Sequence, residues 1–170
     1  MKKTTIFISI IFTVFYFFAG CNYEAEPEKK IKSAGEDNRM EQKDRYMAGL
    51  KKLREIDGEA GENVIKSLRD ISPDLGKYTI EFPFGDIYSR TGLDLKSREV
   101  ATIAALTALG NARPQLKVHI HAGLNVGLTR EEVKEVIIQM AVYAGFPSAL
   151  NGMFAAKEVF SERDKKGIKQ

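Results

Sequence analysis

The sequence is poor in the residues that most often carry redox and metal chemistry. Among its 170 residues there is one cysteine, Cys21, no tryptophan, and only two histidines, His119 and His121. A single cysteine excludes an internal disulfide and any Cys-x-x-Cys redox pair within the chain. With no His-x-x-Glu-His pattern either, a metal site would have to be assembled from scattered carboxylates; no metal and no cofactor is predicted. An excess of one charge is also lacking: 26 Lys and Arg stand against 23 Asp and Glu, a formal net charge of +3. Lys2 and Lys3 supply two of those charges, so a chain cut before Cys21 carries 3 − 2 = +1. Both signs are interspersed along the helices, and nothing in this balance asks for nucleic acid as a partner.

The one long apolar run lies at the start. Lys2 and Lys3 precede Ile6 to Phe18, a stretch with the length of a secretory h-region and short for a bilayer span. It reads as an export signal over residues 1–20. Phe18-Ala19-Gly20-Cys21 resembles the lipobox of bacterial lipoproteins. That resemblance implies cleavage before Cys21, acylation of its thiol and new amino group, and a place in the cell envelope, lipid-anchored outside the cytoplasm. A retained signal-anchor helix and a secreted protein with a free thiol are the alternatives. Residues 21–39 are charged and nearly devoid of apolar side chains, so they read as a flexible tether. The acidic residues directly after Cys21 also suit a sorting signal for the outer surface.

From Met40 onward the apolar residues recur at helical spacing. Tyr46, Met47, Leu50, Leu53 and Ile56 mark a first amphipathic helix that Asp57-Gly58 ends, and Val64, Ile65 and Leu68 mark a second. Between Asp74 and Ser89 the pattern is broken by Pro83 and Gly85; short helical turns are preferred to a strand that would have no partner. Leu95 to Leu109 is an alanine-rich helix closed by Gly110. Pro114 opens the next helix and Gly127 ends it. Thr129-x-x-Glu132 is a capping box before another helix, Gly145-Phe146-Pro147 turns the chain, and Ser148 to Glu162 forms the last helix. Its small residues Ala149, Gly152, Ala155 and Ala156 allow a neighbour to pack closely. The prediction is a single all-α domain over residues 40–165, of six or seven helices.

His119 and His121 lie two apart on one helix and point roughly 200° away from each other, so they cannot share one metal. His119 borders the stripe of Leu116, Ile120 and Leu124 and is expected to face inward, with His121 outward beside Lys117. An inward histidine is either a working group or a core residue satisfied by a backbone carbonyl, and periodicity alone leaves both open.

FPFGDIYSRTGLDLKSREVATIAALTALGNARPQLKVHIHAGLNVGLTREEVKEVIIQMAVYAGFPSALNGMFAAKEVF resembles the carboxymuconolactone decarboxylase family of the alkylhydroperoxidase D-like superfamily, over about Leu75 to Phe160. The resemblance implies an all-helical fold that assembles into homotrimers or homohexamers, with active sites near the subunit interfaces. Peroxidase members of the superfamily use two cysteines before the matching histidine, with a glutamate in the proton relay. Here those cysteine positions fall on Ala112 and Gln115, so a thiol peroxidase mechanism is not possible. Decarboxylase members resemble this chain in a Glu-Leu-x-x-His segment, which here reads Gln115-Leu116-Lys117-Val118-His119. Gln115 orients a substrate or a water but does not carry a proton. By this resemblance His119 is the catalytic group, with Glu99 backing it as the relay glutamate does. Arg90 or Arg98 would fork a substrate carboxylate, and Phe82, Phe84 and Tyr88 would wall a dry pocket. The expected substrate is a small lactone or carboxylate. Gln115, and the lack of a tryptophan near Gly85-Asp86-Ile87-Tyr88, also fit a second reading, a non-catalytic binding or assembly module on the same scaffold.

Overall fold

The computed structural model describes residues 28–58 and 60–168. The export signal, Cys21 and the tether as far as residue 27 lie outside the described residues. Among these the chain is wholly helical, without strands. The elements are α1 (Glu28–Asp57), α2 (Ala60–Ser67), α3 (Pro73–Thr79), a π-helical segment (Ile80–Ile87), α4 (Leu95–Leu109), α5 (Arg113–Asn125) and α6 (Arg130–Lys165).

α1 starts twelve residues before Met40, so the stretch from Glu28 to Arg39 read as tether is helical. The reading from composition judged how much surface that stretch could bury. Glu, Lys, Ala, Arg and Met are strong helix formers whether or not they bury anything, and propensity extends the helix outward. The short turns expected between Asp74 and Ser89 are present as α3 and the π segment. The wide turn of the latter is closed by the bond from the Tyr88 N–H to the Pro83 carbonyl, 2.8 Å, five residues back.

Local chemistry fixes the remaining ends. The Asp94 carboxylate accepts from the Ser97 N–H at 2.7 Å to cap α4, and Gly110 closes it in the left-handed region at φ 72°. Both arms of the Thr129–Glu132 capping box form, at 3.1 and 2.8 Å. α6 is two helical halves meeting at Gly145, whose φ of 83° and ψ of 161° belong to a region reserved for glycine.

The core is shared by α4, α5 and α6, where Ile103, Ile120, Val133, Ile137 and Val159 are fully buried. Each such side chain contributes about 1.5–3 kcal/mol through the apolar surface it removes from water. Gly152 lets α6 press on α4, since a Cβ there would lie 3.0 Å from Thr107 Cγ2. α1 crosses the π segment at backbone contact: a Cβ on Gly49 would run into the Ile80 carbonyl oxygen. The Arg45 guanidinium and Asp86 carboxylate pair across the same crossing. This crossing places the end of α1 and the aromatics after Ile80 on one side of the three-helix core, and the space between them is the site.

Candidate active site

That space is a cavity of about 420 Å³ between the end of α1, α2, the π segment, α4 and α5. Leu53, Ile56, Val64, Ile65, Pro83 and Phe84 make most of its wall, and its polar lining comes from Asp57, Thr79, Tyr88, Thr102, Gln115 and His119. No lysine or arginine is among the described lining residues.

His119 projects from α5 into the cavity as its periodicity predicts, while His121 turns to α6 and meets Glu162 at 3.3 Å. Burial lowers the proton affinity of His121, and the Glu162 carboxylate partly restores it. Behind His119 lies Glu99 of α4, fully buried, with its Oε2 2.9 Å from His119 Nδ1. Glu99 thus occupies Nδ1, and Nε2 is the ring nitrogen left for the cavity. Gly123, one turn beyond His119, lets α5 pack closely on its neighbours: a Cβ on it would sit 2.7 Å from Leu128 Cδ1 and 3.2 Å from Ile103 Cδ1.

Tyr88 stands beside this pair. The Thr102 hydroxyl donates to the Arg98 carbonyl at 2.9 Å, so the Tyr88 phenol, 2.8 Å from Thr102 Oγ1, is the donor to it. Burial, and then the charge of Glu99, push the phenol well above its ordinary range, so it stays protonated.

The sequence reading missed Asp57. It closes α1 and is 6% exposed, with neither carboxylate oxygen in a hydrogen bond of good geometry among the described residues. Burial pushes its pKa up to about 6; nearby His119 pulls it down, Glu99 pushes it up, and the Gly61 N–H pulls it down slightly. The end of α1 is pinned in place. Buried Arg163 of α6 donates to Asn125 Oδ1 at 2.9 Å, and Asn125 Nδ2 donates to the Ile56 carbonyl at 3.1 Å. One sequence signal existed: an acidic residue in the last turn of a helix, where the dipole disfavours it.

Of the residues singled out in the sequence, His119, Gln115, Phe84 and Tyr88 line the cavity, and Glu99 reaches it through His119. Phe82, Arg90 and Arg98 do not. Phe82 is 60% exposed, because the π segment turns it away from the side that carries Phe84. Arg98 donates to the Arg90 carbonyl at 3.1 Å and lies over the Tyr88 ring, 5.9 Å from its centroid, so its guanidinium braces the wall from behind. Arg90 is exposed on the far side of that bond. Among the described lining residues, therefore, no guanidinium fork faces this cavity.

The chain is 36% identical over 124 residues to the 4-carboxymuconolactone decarboxylase of Acinetobacter baylyi, covering 72% of this chain and 92% of the relative. It is 32% identical over 102 residues to an uncharacterised 15.0 kDa protein of Paracoccus denitrificans, 59% of this chain and 76% of that one. It is also 27% identical over 120 residues to the nitrosuccinic acid decarboxylase of Metarhizium robertsii, 70% of this chain and 83% of the relative. Residues 73–158, from the start of α3 to near the end of α6, match the carboxymuconolactone decarboxylase family as a whole. The chain belongs to the carboxymuconolactone decarboxylase family.

Proposed function

We propose that this chain is a decarboxylase acting on a small carboxylate or lactone, with His119 as its proton-transferring group. The observation that carries this reading is the Glu99–His119 pair, 2.9 Å apart, set into the wall of an apolar cavity with no lysine or arginine among its described lining residues. Loss of CO2 leaves its bonding electrons on the substrate, and they must flow to an oxygen that can bear charge. In its doubly protonated form His119 gives Nδ1–H to Glu99 and donates Nε2–H to that oxygen as the charge develops. Glu99 positions the ring, and Tyr88, which stays a neutral phenol, adds no competing charge. A carboxylate held in apolar surroundings loses hydration that the charge-dispersed transition state needs less, which favours the same step. Two relatives whose names are those of decarboxylases support the reaction class.

The exposed apolar side chains around the break in α6, notably Val142 and Tyr143 at 75% and 76% and Phe146 at 74%, support assembly into a homotrimer or homohexamer. The Phe18-Ala19-Gly20-Cys21 segment supports anchoring of the chain in the cell envelope through lipid on Cys21.

The test is turnover by the full chain on 4-carboxymuconolactone and on nitrosuccinate, followed by CO2 release. Wild-type turnover that falls at least about 100-fold in His119→Ala is the expected result. A wild type inactive on both acids and on a panel of small carboxylated lactones would refute the reading and favour the non-catalytic scaffold.

A further inference from the structure

Asp57 is left over by this mechanism, and a buried carboxylate in an apolar cavity needs an explanation. Its own helix does not favour it: neither oxygen has a partner in good geometry among the described residues, it sits at the end of α1 whose dipole opposes a negative charge, and the Gly61 N–H of α2 offsets burial only in small part. Nor is it there by slack placement, since the Arg163–Asn125–Ile56 chain of hydrogen bonds fixes the turn that presents it. It lines the same cavity as His119.

We propose that Asp57, as a carboxylic acid, is the second proton donor of the site and delivers the proton that replaces CO2 on the substrate carbon. The inference rests on the decarboxylase reading above. The carbon–carboxylate bond breaks, CO2 leaves, and its electron pair moves into the substrate as an enolate whose oxygen His119 supports. That pair then takes the Asp57 proton at carbon. The balance is substrate carboxylate plus Asp57 acid giving protonated product, CO2 and Asp57 carboxylate, which recovers its proton from solvent before the next turnover. The two donors divide the work by position: His119 on α5 serves the oxygen, Asp57 on α1 serves the carbon.

The groups that bear on Asp57 are His119 from α5, Glu99 from α4 and the Gly61 N–H from α2, with none from α1 itself. Burial holds its pKa up at about 6. An anionic substrate arriving in a cavity without lysine or arginine in its described lining pushes it further up, so binding itself loads the proton. kcat/KM is accordingly expected to fall as pH rises through about 6, while kcat holds to higher pH.

The experiment compares the full-length wild type with Asp57→Asn on 4-carboxymuconolactone and nitrosuccinate, in water and in deuterium oxide. Asparagine keeps the shape and removes an ionisable group from a buried site, so the variant is expected to fold; its circular dichroism confirms that. The inference expects kcat to fall at least about 100-fold with KM within about 3-fold. It also expects the alkaline limb near pH 6 in kcat/KM to disappear, and deuterium uptake on a single face of the carbon that lost CO2 to become unselective. An active wild type whose Asp57→Asn variant keeps kcat, pH profile and facial selectivity overturns the inference and leaves the decarboxylase reading intact. An inactive wild type overturns both.

Discussion

Replacing Asp57 by asparagine is expected to make the protein more stable, and only above the acid range. The folded state leaves this residue 6% exposed and shifts its carboxyl pKa from the ordinary 3.8 to about 6. At about 1.36 kcal/mol per tenfold change in proton affinity, that amounts to roughly 3 kcal/mol against the ionised form in the fold. The sign follows from proton counts. Between about pH 4 and 6 the folded chain binds more protons at this site than the unfolded chain, so stability falls as pH rises and the full deficit stands above that window. Asparagine has no such term, but its buried amide brings an unpartnered donor costing about 1–2 kcal/mol. The expected net gain is thus about 1–2 kcal/mol at about pH 7.5, turning to a loss of similar size near pH 4, where the native acid is already neutral. With about 2–4 °C of melting temperature per kcal/mol for a chain of this size, the gain is a rise of several degrees. Denaturant unfolding of both full-length proteins at the two pH values, at equal concentration so that assembly does not bias the comparison, measures it. A variant destabilised at both pH values would show that the native carboxylate is well partnered, and would remove the structural ground for Asp57 as a proton donor.

Asn125→Leu removes the link between Arg163 and the Ile56 carbonyl and leaves buried polar groups unpaired; it should cost about 1–3 kcal/mol and lower kcat more than the stability loss explains, because the end of α1 is released, as denaturant unfolding and steady-state kinetics together would show. Cys21→Ser should abolish incorporation of labelled fatty acid and move the protein from the membrane to the soluble fraction of the cell envelope; label retained in the variant would refute anchoring at this residue.

How far the fold was legible depended on whether the signal was local. The capping box at Thr129, the proline in the first turn of α5, Gly110 after α4 and the break at Gly145 act through neighbours three or four residues away. The sequence therefore shows each directly. Where α1 begins was not legible, because burial and helix propensity point in opposite directions between Glu28 and Arg39. Nor was the π form of Ile80–Ile87: Pro83 forbids one hydrogen bond, but which wider turn replaces it depends on the crossing with Gly49 of α1. That detail decided the aromatics. A pattern that groups Phe82 with Phe84 and Tyr88 cannot show that the wide turn faces the first one outward.

The site divides in the same way. His119 was legible because it borders an apolar stripe within its own helix, and Glu99 because the resemblance supplied a relay glutamate to look for. Asp57 is 62 positions before His119 in the chain, and its meaning lies in what its described surroundings lack: a lysine, an arginine, a hydrogen-bond partner in good geometry. Before Gly58 an aspartate reads as a helix stop, and only the folded cavity shows that this one ends α1 against an apolar wall. The two arginines failed for the complementary reason. Each is the right residue for a carboxylate, but a guanidinium at the cavity would hold a substrate carboxylate ionised, hydrogen-bonded and slow to leave as CO2, and would also keep Asp57 ionised and unable to donate. With Arg98 held on Tyr88 and the Arg90 carbonyl instead, the described lining carries neither effect, and in the reaction proposed above the lack of lysine and arginine and the buried acid would serve one chemical requirement: a carboxyl group destabilised where it breaks away, with a proton waiting beside the carbon it leaves.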